Sequence, residues 1–303
     1  MVSPGKRFRA LLKPGQCLVT PGVYDALSAK IGESAGFEAL AIGGFGLEAT
    51  LLGSPDIGLL TLTELVDAAA RIVRTVAVPV TCDGETGFGG PHNTARLVHG
   101  MEDAGIAGIQ IEDQPYQRGT PASSGRTVVS IEDQVDRLRA ALAARRDPDL
   151  MIIARSDADV VSLAELVERS NRYLAAGADM AMPLCFMVDG RPITAMDGDG
   201  QMAVLERVAS AIDGPVKASM IPEGYTAADL GRIGYCAVGL TGGPIEAAAS
   251  ALDGCLRELR RTGSEASYRQ ANPPSLASPG GIAGLLGIER LREEERRQHE
   301  QGR

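Results

Sequence analysis

TCDGETGFGG, residues 81–90, sets two carboxylates in a glycine-rich turn. It follows the apolar run Val76-Ala-Val-Pro-Val80, which reads as a short buried strand bounded by turn signals. Beyond it come Pro91 and Asn93, then Leu97, Val98 and Met101 at the spacing of an amphipathic helix. Asp83 and Glu85 therefore stand where a strand gives way to a glycine-rich turn. Carboxylates two apart on an extended segment point the same way, and converging hard oxygen ligands suit Mg²⁺ or Mn²⁺. Alone, the pair would read as solvated loop acids capping the next helix. The other strand ends decide.

Outward from this stretch the chain alternates short apolar runs with longer amphipathic ones. Strands are predicted over Cys17–Thr20, Ala39–Ile42, Val78–Cys82, Gly108–Ile111, Met151–Ala154, Met180–Leu184, Val216–Ala218 and Cys236–Leu240. Between them, helices are predicted over Tyr24–Ala35, Leu62–Arg74, Asn93–Ala104, Ile131–Ala144, Leu163–Ala176, Met202–Ile212, Ala227–Ile233 and Ile245–Arg261. Thr61, Ser130, Ser162 and Thr226 precede four of these as N-caps, with Glu64 and Glu165 placed to complete capping boxes. Eight strand–helix units with parallel connections make an α/β fold, a (β/α)8 TIM-type barrel.

Two segments break the pattern. Residues 114–127, QPYQRGTPASSGRT, form a long loop directly after a strand end, where an active-site lid belongs. Asn272–Gly281 is a Pro/Gly linker, and one more helix is predicted over Ile282–Arg297. The expected division is a barrel over 1–271 and, over 272–303, a linker with an extra C-terminal helix. That helix docks either on its own barrel or on a neighbour's.

The composition excludes several function classes. A net charge of −9 argues against nucleic acid as a partner, because phosphate binding needs a basic face. Five scattered cysteines with no CxxC make neither a disulfide framework nor a zinc site, and point to a reducing cytoplasm. No run approaches the roughly eighteen apolar residues of a membrane span, and the first residues lack the apolar core of a signal peptide.

In a barrel, the active site lies at the C-terminal ends of the strands. Those ends read Thr20-Pro-Gly-Val-Tyr24-Asp25, Gly43-Gly-Phe-Gly46, Asp83 with Glu85, Glu112-Asp-Gln114, Arg155-Ser-Asp157, Leu184-Cys185, Ser219 and Thr241-Gly-Gly243. Acids from two strands (Asp83, Glu85, Glu112) would ring one cation, joined by Asp56 from the GSPDIG turn. Arg155 could hold a carboxylate or phosphonate bidentately, or it could close a salt bridge at the barrel rim. Glycines 43, 44 and 46 let backbone N–H groups approach an anionic oxygen.

On these residues the sequence resembles the isocitrate lyase/phosphoenolpyruvate mutase superfamily. The marks are GVYDALSAK (22–30), GSPDIG (53–58), CDGETGFG (82–89), IEDQ (111–114), IIARSDA (152–158) and AGAD (176–179). The resemblance implies a Mg²⁺-dependent barrel that acts on 2-oxo acids through enolate-like intermediates. It also implies a last helix exchanged between subunits, in dimers that pair into tetramers. By motif match Asp83 resembles the direct metal ligand, with Glu85 and Glu112 acting through water. Asp56 and Arg155 match the positions flanking substrate, and Gly44, Phe45 and Gly46 match its carboxylate cradle.

The departures bear on the reaction. The lyase branch carries a Lys-Arg-Cys-Gly-His lid with cysteine as general acid; here the stretch reads Arg118-Gly-Thr120-Pro-Ala122. Thr120 takes the catalytic lid position with a hydroxyl too weak as an acid to replace the thiol directly. Arg118 is the substrate-binding candidate beside it, and Tyr24 and Ser219 are proton-donor candidates. The reading expected is a Mg²⁺-dependent carbon–carbon lyase or decarboxylase on a small 2-oxo or 2-hydroxy carboxylic acid. The alternatives are a P–C bond enzyme (a mutase or phosphonopyruvate hydrolase) and a barrel that has lost catalysis and serves only in binding.

Overall fold

The eight short apolar runs bury themselves together by closing into a cylinder. The computed structural model describes residues 2–116, 125–273 and 279–301. The strands are β1 (Leu18–Val23), β2 (Leu40–Ile42), β3 (Val80–Asp83), β4 (Gly108–Glu112), β5 (Met151–Ser156), β6 (Met180–Pro183), β7 (Val216–Ala218) and β8 (Tyr235–Leu240). Each pairs in parallel with the next, and β8 returns to β1, so the barrel is closed. Register then decides which side chains meet. Asp83 is paired with Gln110 across β3 and β4, Glu112 with Arg155 across β4 and β5, and Arg155 with Met182 across β5 and β6.

The helices between the strands cover the outside. Leu62–Val73 places Leu65, Ala69 and Ile72 on one stripe, and Pro91–Ala104 does the same with Leu97, Val98 and Met101. These pack with Ile42, Val80, Cys82, Ile109 and Ile152 in a continuous apolar layer outside the strands. A short helix, Pro4–Leu11, not foreseen from the sequence, closes the N-terminal mouth of the barrel. Its Phe8 is fully buried against Ala39, Ala107, Met151, Ile153 and Met180, and Arg9 ties it down through Asp179 at 2.7 Å.

Capping follows the sequence with one exchange. Thr61 and Glu64 form the expected reciprocal box, and Thr226 and Asp229 form one that was not expected. Ser162 caps its helix, but Glu165 turns away to Arg169 at 2.7 Å instead of closing a box. The helix expected over Ile282–Arg297 is two pieces, Gly281–Leu285 and Ile288–Gln301, interrupted where Gly287 takes φ +81°. The first piece lies beside the helix Ala26–Ser34 of its own chain. No helix among the described residues is long and apolar enough to cross a membrane.

Candidate active site

The C-terminal mouth holds a cavity of about 190 Å³. Its walls are Gly43, Gly44, Phe45, Asp56, Asp83, Gln110, Arg155, Met182, Leu184, Phe186, Lys217, Ser219, Gly239 and Thr241. Seven of the eight strands, or the loops just after them, contribute; β1 does not. Arg155 organises the acidic side. Its Nε and Nη2 bond to the two oxygens of Asp157 at 2.9 and 3.0 Å, and its Nη1 reaches Glu112 at 3.0 Å and Asp83 at 3.3 Å. Of the two alternatives posed by the sequence, the salt bridge at the barrel rim is the one seen, and the same guanidinium lines the cavity.

Asp157 is the hub behind Arg155. Burial alone would raise its pKa, but the guanidiniums of Arg155 and Arg126 more than offset that and hold it below the ordinary carboxylate range. Arg126 bonds Asp157 at 2.9 Å and Asp159 at 3.0 Å, and lies over the Phe186 ring 5.7 Å from its centroid. Arg126 thus ties the chain just before the helix Ile131–Ala144 to the site. Asp113, on the outer side of β4, fixes the β5 end by accepting from Ser156 Oγ (2.7 Å), Asp157 N–H (2.8 Å) and Tyr173 OH (2.9 Å).

Glu85 reaches the site by a route the sequence did not show. β3 ends at Asp83, so the two acids do not alternate along an extended segment. Glu85 instead sits at φ +54°, in the left-handed region that non-glycine residues seldom adopt, with its N–H on Asp83 Oδ1 at 3.0 Å. Its carboxylate packs against Gly44, where a Cβ would come within 2.1 Å of Oε1. A side chain at 44 would therefore push the Glu85 carboxylate from this position. Asp56 is delivered by its own support: Glu48, buried in a π-helical turn, accepts the N–H groups of Ile57 (3.0 Å) and Leu60 (3.3 Å).

Of the candidates named from the sequence, the pocket gathers Gly44, Phe45, Asp56, Asp83, Arg155 and Ser219 in its walls, with Glu85 and Glu112 buried directly behind. Two are not brought to it. Tyr24 lines a different cleft, between the helices Ala26–Ser34 and Leu62–Val73, because the chain turns outward at the Asp25 cap. Gly46 packs under Tyr24 within the helix Gly44–Leu47. Arg118 and Thr120 lie outside the described residues. Sequence reasoning passed over Gln110, Lys217 and Gly239. A lysine amid the apolar residues of so short a strand was the signal available for Lys217.

No three His, Cys, Asp or Glu side chains among the described residues stand together as a closed metal cage. The donors present are carboxylate oxygens only, from Asp83, Glu85, Glu112 and Asp56. That chemistry fits a hard cation held by one or two carboxylates with its waters retained, which is the habit of Mg²⁺. Burial, only partly opposed by Arg155, and the neighbouring acids push Glu112 well above the ordinary carboxylate range. A divalent cation beside it would hold it ionised.

Comparison with known proteins agrees with this geometry. The phosphoenolpyruvate phosphomutase family model matches residues 8–260. The chain is 34% identical over 294 residues to 2,3-dimethylmalate lyase of Eubacterium barkeri, covering 95% of this chain and 96% of that one. It is 37% identical over 257 residues to oxaloacetate decarboxylase of Ectopseudomonas mendocina (strain ymp), covering 84% and 83%. Among solved structures, phosphonopyruvate hydrolase in complex with oxalate and Mg²⁺ superposes with a TM-score of 0.81 at 27% identity, covering 98% of this chain and 99% of that one.

Proposed function

This chain belongs to the phosphoenolpyruvate mutase/isocitrate lyase superfamily, and from that premise we propose that it is a Mg²⁺-dependent carbon–carbon lyase or decarboxylase of a small 2-oxo or 2-hydroxy carboxylic acid. The observation that carries the reading is Arg155, anchored bidentately by Asp157 with its remaining face on Asp83 and Glu112 in a small cavity. A scaffold barrel has no use for that arrangement of buried charge.

Asp83, supported by Glu85 and Glu112, would hold the cation, with Mn²⁺ able to replace Mg²⁺. When bound, that cation draws charge from the 2-oxygen of the substrate and stabilises an enolate. Arg155 orients the acid by charge-assisted hydrogen bonds, and Asp157 keeps the guanidinium from rotating away. Met182, Leu184 and Phe186 exclude water from one side of the cavity. The lid segment 114–127 contains no cysteine. Loss of CO₂, or cleavage to an enolate, makes less demand on a lid acid than on the electron sink.

Calorimetric titration with oxalate, an enolpyruvate mimic, tests the reading. Binding is expected with Mg²⁺, not without it, and not in Asp83→Ala. Equal binding with and without Mg²⁺ would sink the reading. P–C bond chemistry is the second reading, favoured by the family model's own description. Phosphonate turnover followed by phosphorus NMR, lost in Arg118→Ala, would establish it.

The same reading extends to assembly and compartment. We assign a homo-oligomer in which the C-terminal helix is exchanged between two subunits and the dimers pair. The exposed stripe Leu252, Leu256 and Leu259 on the helix Gly242–Thr262, together with Ile282 and Leu286, supports it. Light scattering giving a monomer at micromolar concentration would contradict it. Five free cysteines support a reducing, cytoplasmic compartment.

A further inference from the structure

The cavity has a second cation, and its situation is unlike that of Arg155. Lys217, the middle residue of β7, is 1% exposed. It lines the cavity with Gln110, Ser219, Gly239 and Thr241. Its Nζ donates to Gln110 Oε1, a neutral acceptor, and it forms no ion pair among the described residues. Room for it comes from β8, where a Cβ at Gly239 would lie 3.0 Å from Lys217 Cε and 3.3 Å from Nζ. A side chain at position 239 would crowd the amine, so the two residues fit as a pair.

A buried ammonium with only a neutral partner is costly, since charges leave water only when paired. Burial accordingly pulls the Lys217 amine down to about 8, with Asp83 offsetting part of the effect from a distance. An ammonium has three donors, and Gln110 uses one. The other two have an open cavity before them and the hydroxyl-bearing residues Ser219 and Thr241 in its walls. The missing counter-charge is then one that enters with a ligand.

We propose that Lys217 is an anion anchor which binds a second carboxylate of the substrate, so that the pocket selects dicarboxylic over monocarboxylic 2-oxo or 2-hydroxy acids. The inference rests on the reading of this cavity as the substrate site. One end of the acid faces Asp83 and Arg155; the other carboxylate, set off by the carbon chain, faces Lys217. Lys217 is here a specificity residue.

The test compares three probes by calorimetry in the presence of Mg²⁺: oxalate, L-malate and 2-hydroxybutyrate. Malate and 2-hydroxybutyrate differ in one group, a carboxylate against a methyl. Wild type should bind malate at least about tenfold more tightly than 2-hydroxybutyrate, as the loss of a buried charge partner implies. Lys217→Met should abolish that preference while Mg²⁺-dependent oxalate binding stays measurable, and an unchanged circular-dichroism spectrum and urea transition certify that the variant is folded. Lys217→Gln, which keeps a donor for the neighbouring amide, should do the same should the Met variant fail to fold. If wild type binds oxalate but shows no preference, or either folded variant keeps the preference, Lys217 is only a structural partner of Gln110 and the inference falls. If wild type binds no oxalate, the proposed function falls first.

Discussion

The two mouths of the barrel are made from the same eight strands on opposite terms. At the N-terminal mouth Phe8, Met151, Ile153 and Met180 fill the space with hydrocarbon, and no ligand is needed to complete it. At the C-terminal mouth the space is bordered by the charged side chains of Asp56, Asp83, Arg155 and Lys217, with Glu112 buried behind on Arg155. The first end contributes stability; the second holds charges that a bound acid and cation would complete. Within the second end the contrast repeats at smaller scale. Arg155 is already held by carboxylates before any ligand arrives, whereas Lys217 has one neutral partner and awaits its counter-charge from a ligand.

Asp157→Asn should break the charged mouth most severely. It removes the anion between Arg155 and Arg126 and leaves two buried guanidiniums underpaired, a loss of about 3–5 kcal/mol. Urea unfolding should show that fall, and Mg²⁺-dependent oxalate binding should disappear with it. A variant with wild-type stability would mean that the Arg155 network does not depend on its hub. Phe8→Ala is the counterpart at the sealed mouth. A deep cavity there should also cost about 3–5 kcal/mol. Oxalate affinity, measured well below the lowered midpoint, should stay within about twofold, because distant sites act independently.

The sealed mouth and the charged mouth were not equally legible in the sequence. Strand and helix positions follow from hydrophobic period, so all eight strands were located, with β7 matching to the residue and the others within two or three. The plug helix Pro4–Leu11 was missed because eight residues containing three cations, Lys6, Arg7 and Arg9, show little apolar periodicity. The start of the helix Gly198–Ser210 was placed late, since Gly-Asp-Gly does not look helical until Asp197 is seen capping it at 2.8 Å. Asp189-Gly190 is a recognised hairpin dipeptide that was passed over; both residues take positive φ, and the ribbon Met187–Val188 with Arg191–Pro192 follows Phe186 of the pocket wall. Asp83, Asp56 and Arg155 were legible because strand ends converge in a barrel. Gln110 and Lys217 were not, because they stand one layer deeper, inside predicted strands that are not neighbours, and only closure of the barrel brings them together.

Titration separates the two cations more gently. With Lys217 at about 8 in the unliganded protein, a carboxylate can pair with it fully only below that pH. The preference for malate over 2-hydroxybutyrate should therefore weaken as pH rises above about 8, by up to about tenfold per unit. Arg155, held well above its ordinary value by its carboxylates, contributes no such dependence, and the nearby Cys236 thiol is raised by burial and stays neutral. The sign for stability is opposite. The folded pKa lies below the ordinary 10.5, so the unfolded chain binds more protons between about 8 and 10.5. At this site the unliganded protein gains stability as pH rises through that window. Lys217→Met should flatten both profiles; a malate preference that is pH-independent in wild type would assign the selectivity elsewhere.

Thr61→Ala carries the smallest expected effect, and it measures whether the helical layer is separable from either mouth. Thr61 Oγ1 accepts the Glu64 N–H at 3.3 Å, while Glu64 accepts the Thr61 N–H at 2.9 Å and its hydroxyl at 2.6 Å. Loss of such an exposed cap costs about 1 kcal/mol. Yet Thr61 directly follows Leu60, whose N–H is on Glu48, and Glu48 is what carries Asp56 to the cavity. Were the turn held by Glu48 alone, Thr61→Ala should lower the urea midpoint slightly and leave oxalate affinity untouched. Were the cap also setting the position of the turn, oxalate affinity would fall with stability, and the charged mouth would extend to the surface through residues 56–61.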